Sequence, residues 1–248
     1  MAKPTVSMEP GLAKSLEEFH AKVASAAEEV VFKIFPQKTL DLQAFIDSTS
    51  STSSEFYDSH STSSTDARVY PDPTENGAPE TKKRKRESDP ANSVAHARYP
   101  DLVHTNELVQ KVHEIVKKEC NDLIQLCDKV KLWVTLTMPK IEDGDNFGVQ
   151  IQEEALNELH RSQESAYSLR DASRLHHLSR AKICSKLIKY PNVEDYTLAL
   201  KEHDEKQIYL AKQHLYDLRN IYAIITDTLH KNITKIRVPK ANNSVALY

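Results

Sequence analysis

The stretch Ile208–Ile236, IYLAKQHLYDLRNIYAIITDTLHKNITKI, carries the reading that decides the fold. Ile208, Ala211, Leu215, Leu218, Tyr222, Ile225, Leu229, Ile233 and Ile236 recur at steps of three and four residues, which is a seven-residue repeat. Such steps stack apolar side chains on one face of an α-helix, a face that must be covered by other helices. Pro239 closes this helix, and a polar tail, residues 239–248, follows. Upstream, Pro191 interrupts the pattern and Asn192 is the expected N-cap, because a short amide side chain can satisfy an open N–H of the first turn.

The same periodicity appears three more times. A helix over about 150–189 carries a weaker stripe through Ala155, Leu159, Ala166 and Leu169. A helix over about 105–136 carries Val109, Val112, Val116, Cys120, Leu123, Cys127, Val130 and Val134, and Pro139 ends it. The two cysteines on this stripe read as small core residues rather than redox groups. Near the N-terminus, Leu12, Leu16, Phe19, Val23, Ala26, Val30 and Ile34 define a first helix with Pro10 in its first turn. That helix is expected to stop at Phe35, because Pro36 disfavours the α conformation before it.

Between the first two helices the composition shifts. Residues 48–66 hold thirteen Ser or Thr, and residues 67–100 are rich in Pro, charge and small polar side chains. Neither stretch buries enough apolar surface to offset its ordering entropy. The expected organisation is a single all-α domain over 1–248: helix 1 at 1–39, a disordered insert at 40–103, and helices 2 to 4 within 104–248. Long helices with short second and third connections form an up-down-up-down four-helix bundle. In that topology the loop after helix 2 and the chain's C-terminus share one end, with the insert and the Pro191 turn at the other.

Composition narrows the function classes. The 248 residues are 39% hydrophobic, 28% charged and 7% aromatic, which suits a soluble helical protein. Leu132–Met138 is far too short to span a bilayer, so no membrane partner is expected. The first thirty residues lack the apolar core of a secretory signal. A net charge of −3 argues against direct nucleic-acid binding. Cys120, Cys127 and Cys184 make an odd count without disulfide or zinc spacing, pointing to a reducing, intracellular compartment. The eleven histidines include the pair His176-His177 but no His-Glu-x-x-His motif. With no nucleophile elbow and no phosphate-binding glycine loop, no enzyme activity, cofactor or metal is expected.

The segment with the strongest functional signal is 138–150, Met-Pro-Lys-Ile-Glu-Asp-Gly-Asp-Asn-Phe-Gly-Val-Gln. Two of the chain's four glycines, Gly144 and Gly148, fall in it. Glycine so sparsely used marks places where the backbone bends or goes to positive φ. The segment resembles the activation loop of the eleven-S (REG) proteasome activators, Arg-Ile-Glu-Asp-Gly-Asn-Asn-Phe-Gly-Val, with Lys140 in place of the arginine and Asp145 in place of the first asparagine. Two further segments match: Lys189-Tyr190-Pro191-Asn192-Val193-Glu194-Asp195-Tyr196, and the tail ending Ala246-Leu247-Tyr248. The resemblance covers about 105–248 well and the first helix loosely.

The resemblance implies a homo-oligomeric ring of seven subunits that caps the proteasome core particle without ATP. The tail Val245, Ala246, Leu247 and Tyr248 would anchor between core-particle alpha subunits. The activation loop, Pro139, Lys140, Ile141, Glu142, Asp143, Gly144, Asp145, Asn146, Phe147 and Gly148, would reposition the gate, with Asn146 nearest to gate contact. Lys82, Lys83, Arg84, Lys85 and Arg86 in the insert read as a nuclear import signal recognised by an import receptor. In this family a basic run at that place marks the nuclear, gamma-type branch, so localisation is expected in the nucleus, with some protein in the cytoplasm. The Ser/Thr tract of 48–65 departs from that branch and reads as flexible low complexity.

Two other readings compete. Asp143, Asp145, Gly148 and Glu154 fall at EF-hand positions one, three, six and twelve, but Phe147 stands where position five needs an oxygen. Gln150 falls at position eight, usually apolar, and no second loop exists to pair with it. The heptads alone would also fit a coiled-coil scaffold or adaptor, which gives the last residue no special role.

Overall fold

The computed structural model describes residues 8–51, 54, 64–70, 101–140 and 146–240. Among the described residues there are five α-helices: α1 (Pro10–Glu29), α2 (Phe35–Thr49), α3 (Glu107–Thr137), α4 (Phe147–Lys189) and α5 (Glu194–Arg237). A π turn, Val30–Ile34, joins α1 to α2. These two and the turn form one unbroken rod, so the bundle has four arms. The rod packs on α3 and α5, α4 packs on α3 and α5, and α3 also touches α5 across the diagonal. Among the described residues no helix is long and apolar enough to cross a membrane.

The core is the set of stripes the periodicity identifies. All eight residues of the α3 stripe, Val109 through Val134, are buried. On α5 Ile208, Ala211, Leu215, Leu218, Tyr222, Ile225, Leu229 and Ile236 are buried, with Ile233 packed against them. Ala155, Leu159 and Ala166 of α4 are buried too. Burial pushes the Cys120 and Cys127 thiols up to about 12, so neither supplies thiolate near neutral pH. They pack as small apolar residues. Tyr222 is fully buried, and its ring lies 5.8 Å from that of Phe35.

Several features differ from the sequence-based expectation. The first helix does not stop at Phe35, and residues 40–49 are helical rather than part of the insert. The π turn explains the difference. A proline inside a regular helix collides with the carbonyl four residues earlier and lacks a donor. Here the turn just before Pro36 is widened, with Phe35 N–H donating to the Val30 carbonyl, and Pro36 then occupies the first turn of α2. Leu42 and Ile46 of the extension are buried, and Lys38 sits 2.8 Å from both Glu119 and Asp122 on α3.

The insert's edges are also ordered against the bundle. Tyr70 and Leu102 pair as an antiparallel bridge, and Thr65 is buried. At the other end of the rod, Leu12, Leu16 and Phe19 are exposed rather than core. Glu28 already stands level with Arg237, the last residue of α5, at 2.8 Å. The part of α1 before it therefore runs past the end of α5 and lacks that helix as cover. Finally, α5 begins at Glu194 with Val193 at the N-cap position, so Asn192 does not cap it. Glu194 and Asp195 in the first turn offset the helix dipole instead.

Candidate interaction site at the loop end of the bundle

Three chain ends meet at one end of the bundle: the C-terminus of α3, the N-terminus of α4 and the C-terminus of α5. Met138 leaves α3 in an extended conformation, φ −62° and ψ 134°, as the residue before Pro139 must. Asn146 occupies the N-cap position of α4, and its carbonyl accepts from Gln150 N–H at 3.0 Å. Its side chain makes no cap bond and stays exposed. Phe147 and Gly148, expected in the loop, form the first turn of α4.

Gly148 is therefore helical, and its lack of a side chain serves proximity rather than backbone freedom. A methyl group there would overlap the backbone of Pro239, its carbonyl oxygen first. The first turn of α4 thus lies directly against the start of the C-terminal tail. Gln152, one turn further on and fully buried, ties the same place together. Its Nε2 donates to the Ile236 carbonyl at 2.8 Å and to Thr137 Oγ1 at 3.2 Å. The last carbonyls of a helix have no partner within it, so this bond satisfies one at the end of α5. Thr137 Oγ1 donates to the Val134 carbonyl at 2.8 Å and lies 3.4 Å from the Ile236 carbonyl. Lys235 lies over the Phe147 ring, 6.0 Å from its centre.

Of the expected loop residues, Pro139, Lys140, Asn146, Phe147 and Gly148 are brought together here; Lys140, Asn146 and Phe147 are exposed. Pro139, Lys140, Asn146 and Gln150 line an open cleft at this end. Ile141, Glu142, Asp143, Gly144 and Asp145 lie outside the described residues. So do the tail residues Val245, Ala246, Leu247 and Tyr248, and the basic run Lys82, Lys83, Arg84, Lys85 and Arg86. Gln152 and Lys235 were not singled out by sequence reasoning. The available signal for Gln152 was its place three residues before Ala155, on the buried stripe of α4.

Among the described residues the molecule is an all-α bundle in which the first turn of α4 lies against the start of the C-terminal segment at Pro239. The models for Proteasome activator PA28, N-terminal and C-terminal, match residues 10–60 and 102–246. The chain is 34% identical over 254 residues to Proteasome activator complex subunit 3 of Gallus gallus, covering 98% of both chains. Its Homo sapiens counterpart is 34% identical over 244 residues, 94% of both. Among solved structures, the 11S subunit of the Plasmodium falciparum proteasome, PA28, is 31% identical with a TM-score of 0.73, covering 96% of this chain and all of that one. The activator in an archaeal 20S proteasome complex shares the fold alone, at 12% identity, with a TM-score of 0.61 and 97% and 100% coverage. This chain belongs to the PA28 family of proteasome activators.

Proposed function

We propose that this protein is a non-enzymatic, ATP-independent activator of the proteasome core particle, acting as one subunit of a heptameric ring. The observation that carries the reading is the contact between Gly148 and Pro239, which sets the end of the activation loop against the root of the tail. A tail that docks by its carboxylate into a pocket between alpha subunits places the neighbouring loop on the core's gate. One short tail binds weakly, but tails tethered in a ring raise each other's effective concentration. The uncovered apolar residues Leu12, Leu16 and Phe19 of α1 are where a neighbouring subunit would bury surface in such a ring. A basic run at Lys82–Arg86 suits recognition by an import receptor, which gives a nuclear protein of the gamma type.

The test is hydrolysis of a short fluorogenic peptide by latent core particle without ATP. The wild type should stimulate strongly, and deletion of Tyr248 should remove both binding and stimulation. Asn146→Tyr should bind the core and fail to stimulate. Equal stimulation by wild type and Asn146→Tyr would sink the role given to the loop. Replacing Lys82–Arg86 by alanines should move a tagged full-length chain from nucleus to cytoplasm while leaving stimulation intact.

A further inference from the structure

The π turn that carries the rod past Pro36 leaves one backbone group without a donor of its own. Bonds in that turn reach five residues back, as Phe35 N–H does to the Val30 carbonyl. The next in the series would run from residue 36 to the Val31 carbonyl, and a proline nitrogen carries no hydrogen. Val31 is fully buried, where water cannot take the missing donor's place. The donor comes from α5 instead: Nε2 of His230 lies 2.8 Å from the Val31 carbonyl oxygen. A carbonyl only accepts, so the ring hydrogen is on Nε2.

His230 does not act alone. Its ring stacks on Phe32 of the same turn, with centres 5.1 Å apart and planes at 27°. Phe32 is exposed, yet it holds a second partner, the Arg237 guanidinium, 5.2 Å from its ring centre and within cation–π reach. Arg237 Nε in turn donates to Glu28 Oε1 at 2.8 Å. His230 and Arg237 are seven residues apart, about two turns of helix. These contacts run along the seam between the rod and the last two turns of α5. They stop just short of Pro239, where Gly148 of α4 meets the root of the tail.

We propose that His230 is a positioning residue for activation. It supplies the hydrogen that Pro36 cannot, and with Phe32 and Arg237 it clips the end of α5, and so the root of the tail, to the rod. This role rests on the activator reading, in which the tail docks on the core while the loop reaches its gate. With the root held by the rod on one side and by α4 on the other, a docked tail sets the loop at one height above the gate. An α5 end that swings free still carries its tail to the pocket but no longer fixes that height. Loss of the clip should therefore lower maximal stimulation more than it weakens binding.

Three full-length proteins separate a donor from a packing surface. They are wild type, His230→Gln, whose amide can still donate to the Val31 carbonyl, and His230→Phe, which keeps the stack on Phe32 and loses the donor. Latent core particle and a short fluorogenic peptide give the maximal stimulation and the half-saturating concentration of each. A lost hydrogen bond of ordinary strength shifts an equilibrium about 2–10-fold. His230→Phe should accordingly lower the maximum at least about threefold and change half-saturation by less than about twofold, with His230→Gln close to wild type. Hydrogen exchange, read without the core, should quicken across 231–240 in His230→Phe alone and stay unchanged across 208–218. Equal behaviour of His230→Phe and wild type, or equal impairment of His230→Gln and His230→Phe, would overturn the assignment. Faster exchange in both stretches together, or a changed assembled mass, would overturn it too, in favour of general stability or subunit contact. A wild type that does not stimulate would remove the activator reading and the effect on stimulation with it, while exchange still decides the clip.

Discussion

The two ends of this bundle are closed by different physics. At the loop end, α4 and the start of the tail touch backbone to backbone at Gly148 and Pro239, and Gln152 satisfies a free carbonyl of α5. That end is held by shape. At the insert end, Arg180 and Asp204 form an ion pair whose side chains are 7% and 0% exposed. Thr65 donates to Asp204 Oδ2 at 2.9 Å, and Asn106, which caps α3 by accepting from Val109 N–H at 3.1 Å, donates to Thr65. That end is held by charge and hydrogen bonds, and the rings of His113, His176 and His203 lie beside it. Activity should therefore depend on side-chain size at one end, and stability on polar satisfaction at the other.

The largest expected effect on stability is at the polar end. Asp204→Ala strands the buried Arg180 guanidinium and should cost ~3–5 kcal/mol in denaturant unfolding. At a temperature where the variant stays folded, its stimulation of peptide hydrolysis should match wild type. Loss of stimulation there would show that the two ends are coupled and break the comparison.

Next comes pH. Burial lowers the pKa of His113 and His176, and neighbouring groups that are or can become positive (His177, Lys117 and His214 for the first; His203, His177 and Arg180 for the second) act in the same direction. The unfolded chain then binds more protons between the ordinary value of 6.5 and the native values of about 4 and about 3. Stability contributed by these groups is present above 6.5 and lost as pH falls through that window. The thermal midpoint should drop from pH 7 to pH 5, and less steeply in His203→Gln, which removes one neighbour of the pair.

At the shaped end, Gly148→Ala should cost ~1–3 kcal/mol, because the added methyl must displace Pro239. Its stimulation should nevertheless be lost, since the tail root and the loop can no longer hold their spacing. Full stimulation by Gly148→Ala would remove the argument that shape governs this end. Smallest of all, Lys231→Ala breaks an exposed pair with Asp227 and should change stability by less than about 0.5 kcal/mol.

Much of the arrangement was legible from residues alone. The stripes on α3 and α5 are buried nearly residue for residue, because apolar spacing is a local property of a helix and needs no knowledge of its neighbour. That the end of α3, the start of α4 and the end of α5 share one end of the bundle followed from helix count and connection length. The role of Gly148 did not. Its rarity suggested a special backbone angle, whereas the structure uses the missing Cβ for close approach to a residue ninety-one positions away.

By itself the sequence determined the helical class, the core stripes, the family pattern of the loop and which end of the bundle carries it. Only the tertiary structure decided that the first helix passes Pro36, because a π turn and the burial of Leu42 and Ile46 outweigh a local preference against helix. It alone decided that Leu12, Leu16 and Phe19 stay uncovered, since cover depends on where α5 ends. It alone brought His113, His176 and His203 together with Arg180 and Asp204, residues from three helices with no common spacing. Periodicity is written along one helix, but burial and side-chain partnership are set by the length and register of the helices beside it.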